Sequence, residues 1–119
     1  MLTKGIRGAI TVDENTAEAI RQATKELLST LIELNNLNEE KISHVIFTLT
    51  EDLNAEFPAK FARIDFNWNS TAMMCFHELN VPNSLQKCLR ILIVVNCEND
   101  FKPKFAYLKG AANLSLQDL

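Results

Sequence analysis

Lys87-Cys88-Leu89-Arg90-Ile91-Leu92-Ile93-Val94-Val95 is the stretch on which the reading of this chain turns. Its aliphatic run predicts a strand over 88–95, buried on both faces. One residue does not suit that setting. The Arg90 guanidinium stays charged at any ordinary pH. Sinking it among aliphatic side chains is costly unless an anion meets it. Strand alternation puts Arg90 on the face of Leu92 and Val94. Something negative should therefore sit at the end of that face, either a carboxylate of the protein or an anionic ligand.

Outward from that strand, the rest of the chain divides into short elements. Lys4 to Val12 reads as a first strand, with Ile6, Ile10 and Val12 on one side and Arg7 and Thr11 on the other. Gly5 and Gly8 flank Arg7, and glycines inside a strand often mark a close approach by a ligand or another backbone. A helix is predicted from about Thr16 to Asn35, with Ile20, Ala23, Leu27, Leu28, Leu31 and Leu34 as one apolar stripe. Ile42 to Thr50 is a second strand. Phe57-Pro58-Ala59-Lys60 opens a short second helix, with Pro58 near its first turn. Lys60 and Arg63, three apart, share one face of it. Trp68 stands in a polar stretch that reads as loop. Met73 to Glu78 is a third strand, and a helical turn is expected over Ser84 to Lys87. Phe105 to Leu108 is a last short strand, and Gly110 begins an extended tail. The sum is an α+β fold, a small mixed β-sheet with two main helices.

The 119 residues make one domain, 1–119, and 47% of them are hydrophobic, enough for a core. Twelve Lys and Arg against 15 Asp and Glu give a net charge of −3. That balance argues against a general nucleic-acid or anionic-membrane surface, so an anion site must be a local pocket. Cys75, Cys88 and Cys97 are odd in number and form no C-x-x-C pair. A disulfide framework or structural zinc is not expected, and a reducing, cytoplasmic setting is. No secretory h-region is visible at the N-terminus. No apolar run is long enough to span a membrane.

Arg7, Lys60, Arg63 and Arg90 come from separate elements. Brought together they would hold a dianion, because Arg forks suit carboxylates. Apart, Lys60 and Arg63 are a solvated helix face. Glu78 ends an apolar strand, where it would accept from a ligand hydroxyl or pair with a core arginine. Cys75 and His77 point the same way along a strand, but no third group orients them as nucleophile and base. His44 and His77 have no metal-ligand spacing. No G-x-S-x-G, P-loop or G-x-G-x-x-G occurs. With nucleophilic, metal and nucleotide chemistry all short of parts, a cationic, partly apolar anion pocket is what remains.

From end to end, the chain resembles the small trimeric chorismate mutases, the AroH type. The resemblance rests on Gly5-Ile6-Arg7-Gly8-Ala9-Ile10-Thr11-Val12, on Asp52 to Arg63 with its F-P-A-x-x-A-R block, and on Trp68. It continues through Cys75 to Glu78, Ser84 to Arg90, and Tyr107-Leu108-Lys109-Gly110-Ala111, in the family's order and nearly its spacing. The resemblance implies a homotrimer with a pseudo-barrel core and an active site between each two chains. It implies no cofactor and no metal. It also implies the isomerisation of chorismate to prephenate, a step toward phenylalanine and tyrosine.

Carried onto matching positions, Arg7, Arg90 and Tyr107 would contact the ligand, with Met74, Cys75, Phe76, His77 and Glu78. Phe57, Ala59, Lys60, Met73 and Leu114 would line the pocket, with Arg63 near its entrance. Arg90, Glu78 and Arg7 would do the catalytic work. The chain departs from the family at its tail, where L-R-P-D becomes Leu114-Ser115-Leu116-Gln117-Asp118. A mobile arginine is thereby replaced by Ser115. It departs also at Thr71-Ala72, where the family often has V-P, and at Met74, often Thr or Leu. The alternative reading is a non-catalytic trimer that binds a small carboxylate metabolite.

Overall fold

Two polar residues bracket the long helix. A computed structural model describes residues 2–114, and in it the Thr16 side chain accepts from the Ala19 N–H and caps α1 (Ala17–Asn35). Asn36 closes it in the left-handed region, φ 49°, with its N–H on the Ile32 carbonyl. The remaining elements are β1 (Leu2–Thr11), β2 (Ile42–Leu49), α2 (Pro58–Phe66), β3 (Ala72–His77), β4 (Cys88–Cys97) and β5 (Ala106–Leu108). Short 3-10 turns occupy Glu39–Lys41 and Lys109–Ala111.

The sheet is mixed, in the order β3-β2-β4-β1-β5. β4 runs antiparallel to both β1 and β2. β5 lies parallel to β1, and β3 parallel to β2. Leu89, Ile91, Ile93 and Val95 of β4 point to one face and are buried. They join Ile6 and Ile10 of β1, Val45, Phe47 and Leu49 of β2, and the apolar sides of both helices. Gly8 belongs to this face. A Cβ there would come within 2.8 Å of Leu31 Cδ1 and 3.1 Å of Leu27 Cδ1. The glycine beside Arg7 therefore makes room for α1 rather than for a ligand.

The other face is different. Arg90, Leu92 and Val94 are only half-buried, so the expectation of a strand buried on both faces holds for one face alone. Both helices pack on the same side, and the far side is covered at its Ala9 and Cys88 end, by Leu85, Ala111 and Leu114, but is more open around Leu92 and Val94.

Three local expectations change. Leu34 is exposed at the edge of the α1 stripe. Asn35 is buried instead, because its amide latches the chain at Lys104, accepting from Lys104 N at 2.7 Å and donating to Lys104 O at 2.8 Å. Ser84 to Lys87 is not helical, since Asn83 and Lys87 adopt positive φ of 65° and 46°. Lys87 is held there by its N–H, which donates to the Asp52 carboxylate. Gly110 lies in a 3-10 turn rather than an extended tail, its N–H on Thr11 Oγ1 at 2.9 Å. Trp68 is in a loop as expected, yet it is 5% exposed and packs against Phe66.

Candidate functional site

Strand register assembles the site. On the open face, one row across the sheet reads Phe76, Thr48, Arg90, Ala9, Tyr107, each opposite the next. The adjacent row reads Met74, Ile46, Leu92, Arg7. Directly opposed residues point to the same face. Arg90, Arg7 and Tyr107 therefore share one surface, and Arg7 is the diagonal neighbour of Arg90, roughly 7–8 Å away between backbones. Met74 and Phe76 continue that surface to the β3 edge, 60% and 45% exposed.

Glu78 supplies an anion for Arg90. It lies one residue beyond β3, where its N–H still donates to the Leu49 carbonyl at 2.9 Å. Its Oε2 sits 2.9 Å from Arg90 Nε, with the two side chains 17% and 23% exposed. The same oxygen accepts from Thr48 Oγ1 at 2.7 Å. Of the two anions the sequence left open, the protein's own carboxylate is present. A guanidinium has five N–H donors, so pairing with Glu78 does not exhaust its chemistry.

Beside Arg90 is a small second core of Ala9, Cys88 and Ala111, against which Leu85, Tyr107 and Leu114 pack. Burial pushes the Cys88 thiol up to about 11, against a smaller opposing pull from Arg90. Glu78 also borders a cleft of 360 Å³ formed with Thr50, Asp52 and the 79–86 loop.

The remaining predicted residues fall on the other side of β3. Met73, Cys75 and His77 alternate away from Met74, Phe76 and Glu78. Phe57, 66% exposed, borders a cleft of 310 Å³ with Leu53, Cys75 and His77. Lys60 reaches Glu56 at 2.8 Å, and Arg63 is exposed on α2. Burial raises the Cys75 thiol, partly offset by the Ala59 N–H. His77 Nε2 lies 3.0 Å from the Leu53 carbonyl, so its ring is engaged with the 50–57 loop. A single chain thus does not gather the four cations. Arg7 and Arg90 occupy the open sheet face, while Lys60 and Arg63 stand on α2.

A hollow of 670 Å³ lies elsewhere, between the end of α1 and the 97–104 loop, and contains none of the predicted residues. Among the described residues no cluster of three His, Cys, Asp or Glu could hold a metal ion, and no helix is long and apolar enough to cross a membrane. Ser115 lies outside the described residues. The sequence reading missed Thr48. Its only signal was alternation in Thr48-Leu49-Thr50, which points both threonines away from the core.

Two arginines, a carboxylate and a tyrosine on one sheet face are groups suited to a compact anionic molecule. Comparison with known proteins makes the class specific. The family described as chorismate mutase type I matches residues 3–118. "Chorismate mutase AroH" of Thermus thermophilus is 41% identical over 115 residues, 95% of this chain and 93% of that protein. The Bacillus subtilis (strain 168) protein of the same name is 39% identical over 98 residues, 82% of this chain and 77% of that one. A solved chorismate mutase from Clostridium thermocellum superposes with a TM-score of 0.86 at 49% identity, covering 91% of this chain and 96% of that one. The chain belongs to the type I chorismate mutase family. It is an intramolecular isomerase that converts chorismate to prephenate.

Proposed function

We propose that the enzyme works as a homotrimer in the cytoplasm, with each active site between two chains, and that Arg90, Glu78, Arg7 and Tyr107 of one chain meet Phe57, Ala59, Lys60, Met73 and Cys75 of the next. One observation carries this reading. The two groups lie on opposite sides of the edge strand β3, which supports a site completed by a second chain. The open face adds support, since it carries half-buried Ile46, Leu92 and Val94 beside exposed Met74 and Phe76. Apolar surface of that kind marks an association site. Three free cysteines suit a reducing compartment.

The reaction is a [3,3] pericyclic rearrangement. One ether C–O bond breaks as one C–C bond forms, within a single cycle of six electrons and with no atom gained or lost. No nucleophile is required. What the protein can supply is shape and charge. The ether oxygen gains negative charge as its bond breaks, and Arg90 donates to it there, so its stabilisation is greatest in the transition state. Arg7 and Tyr107 hold a carboxylate. Glu78 accepts from the ring hydroxyl while anchoring Arg90. Phe57 and the aliphatic wall, with Leu114, keep the flexible arm in the reactive pseudo-diaxial form.

Complementation between chains tests the arrangement. Arg90→Met and Phe57→Ala variants, each weakened alone, are mixed, unfolded and refolded together. Shared sites regain activity, up to about a quarter of the sites by random assortment around a three-fold ring. Activity no higher than the average of the two parents places the whole site within one chain. Light scattering on the parent should return three times the 13.5 kDa chain mass.

A further inference from the structure

We infer that Thr48 is a positioning residue for this reaction, fixing the direction in which Glu78 presents its carboxylate. The inference rests on the proposed role of Glu78 toward the substrate hydroxyl. The terminal torsion of a glutamate is broad and holds no single value by itself. A carboxylate that must accept one particular hydrogen bond therefore has to be held by others.

β2 provides those holds. The Glu78 main chain is fixed through its N–H on the Leu49 carbonyl, 2.9 Å away. One residue earlier on β2, Thr48 Oγ1 donates to Glu78 Oε2 at 2.7 Å. Arg90 Nε meets the same oxygen at 2.9 Å. Thr48 stands directly opposite Arg90 on one side and Phe76 on the other, so its place is set by both neighbouring strands. Threonine is stiff at χ1, and its hydroxyl direction is correspondingly narrow. With Oε2 held by the Thr48 hydroxyl and drawn toward the Arg90 charge, the Thr48 hydrogen bond sets the carboxylate plane and with it the aim of Oε1. Thr48 does not touch the reacting atoms. It acts through Glu78, and its loss should appear as misorientation rather than as lost affinity.

Thr48→Val keeps the shape and removes the donor, and Thr48→Ser keeps the donor. Both are compared with the parent and with Glu78→Ala, by initial rates of chorismate loss and by thermal melting. Thr48→Val should lower kcat about tenfold to a hundredfold, the scale of a hydrogen bond lost from a charged group, with KM changed much less. Thr48→Ser should recover most of that loss. In the Glu78→Ala background, Thr48→Val should cost less than about twofold, since coupled residues are not additive. Thr48→Ala carries the same expectations should the valine variant fail to fold. If Glu78→Ala is severe while Thr48→Val leaves kcat within about twofold in a folded protein, the positioning role is overturned. An equal cost with and without Glu78, or no rescue by serine, overturns it too. If Glu78→Ala itself has little effect, it is the proposed role of Glu78 that fails.

Discussion

Arg90 offers the sharpest test, because its two tasks respond to different measurements. Within the chain it pairs with Glu78 at 2.9 Å, with both side chains mostly buried. At roughly 4 Å between charge centres and an effective dielectric near 20, the Coulomb attraction is about 4 kcal/mol. Desolvation of the two ions offsets much of this. What is left is on the scale of a hydrogen bond to a charged group, about 1–3 kcal/mol. Arg90→Met keeps an apolar stem and leaves Glu78 with the Thr48 hydroxyl. It should lower stability by that modest amount and leave the assembly intact. A partner carboxylate is present, so removing this cation does not relieve the protein of an unpaired charge. Adding Glu78→Gln to Arg90→Met should recover part of the lost stability.

The catalytic loss should be larger and should not be recovered by the second substitution. Removing one preorganised donor to a developing oxyanion costs roughly 3–4 kcal/mol, about 10²–10³ in kcat, and a charged donor at least that. Arg90→Lys should rescue little, because a point charge does not reproduce the fork that serves Glu78 and the ether oxygen together. Chorismate absorbance gives the rate, and a thermal melt on the same samples gives the stability. A folded methionine variant with kcat within about fivefold of the parent refutes the reasoning, since that is far below the value of one oxyanion donor. Arg90 would then serve the fold alone.

Other variants probe other links. Gly8→Ala forces a methyl against Leu31 at 2.8 Å and Leu27 at 3.1 Å; it should lower stability by about 1–3 kcal/mol through overpacking, with activity per folded molecule retained, and an unchanged melting temperature would show that α1 moves aside freely. Cys75→Ser should keep most of the activity, because burial raises that thiol and a pericyclic step needs no nucleophile; a covalent adduct seen by mass spectrometry would count against the mechanism. Ser115→Arg restores the tail cation of the resembled family and should lower KM, with kcat changing less, through attraction of the substrate dianion; a KM unmoved or higher defeats that argument.

Most of the secondary structure was legible because its signals are local. The α1 stripe, the Thr16 cap and the aliphatic run of β4 each announce themselves over a few residues. What local pattern does not reveal is which faces are covered, and by what. β4 is apolar on both faces, but one is packed by helices and the other is half-open, a difference decided by where α1 and α2 cross. The irregular turns were illegible for a related reason. Lys87 takes a positive φ because Asp52, 35 positions away, captures its N–H, and Asn35 is buried because Lys104 lies across it. The candidate site residues came as a list through the family's blocks. The residues alone pointed only to an anion near Arg90. Thr48 was missed because a threonine on a strand is ordinary until its partner is known.

The alternation of β3 joins the fold to the chemistry. One strand sends Met74 and Phe76 to the sheet face that carries Arg90, and Cys75 and His77 to the side that carries α2. The main core takes up both helices, and the second core on the open face is small. Among the described residues neither helix is left to form a third layer over the dianion. The rearrangement needs its charges fixed in advance and shielded from water, because an arginine aimed at a developing oxyanion is worth far less in bulk solvent. On the proposed reading, the second face of the sheet acquires its cover from a neighbouring chain. The same contact that buries Leu92, Val94, Met74 and Phe76 then dries the site. Association and catalysis would accordingly depend on one surface, and a substitution that loosens the open face should reduce turnover even when every charged residue is in place.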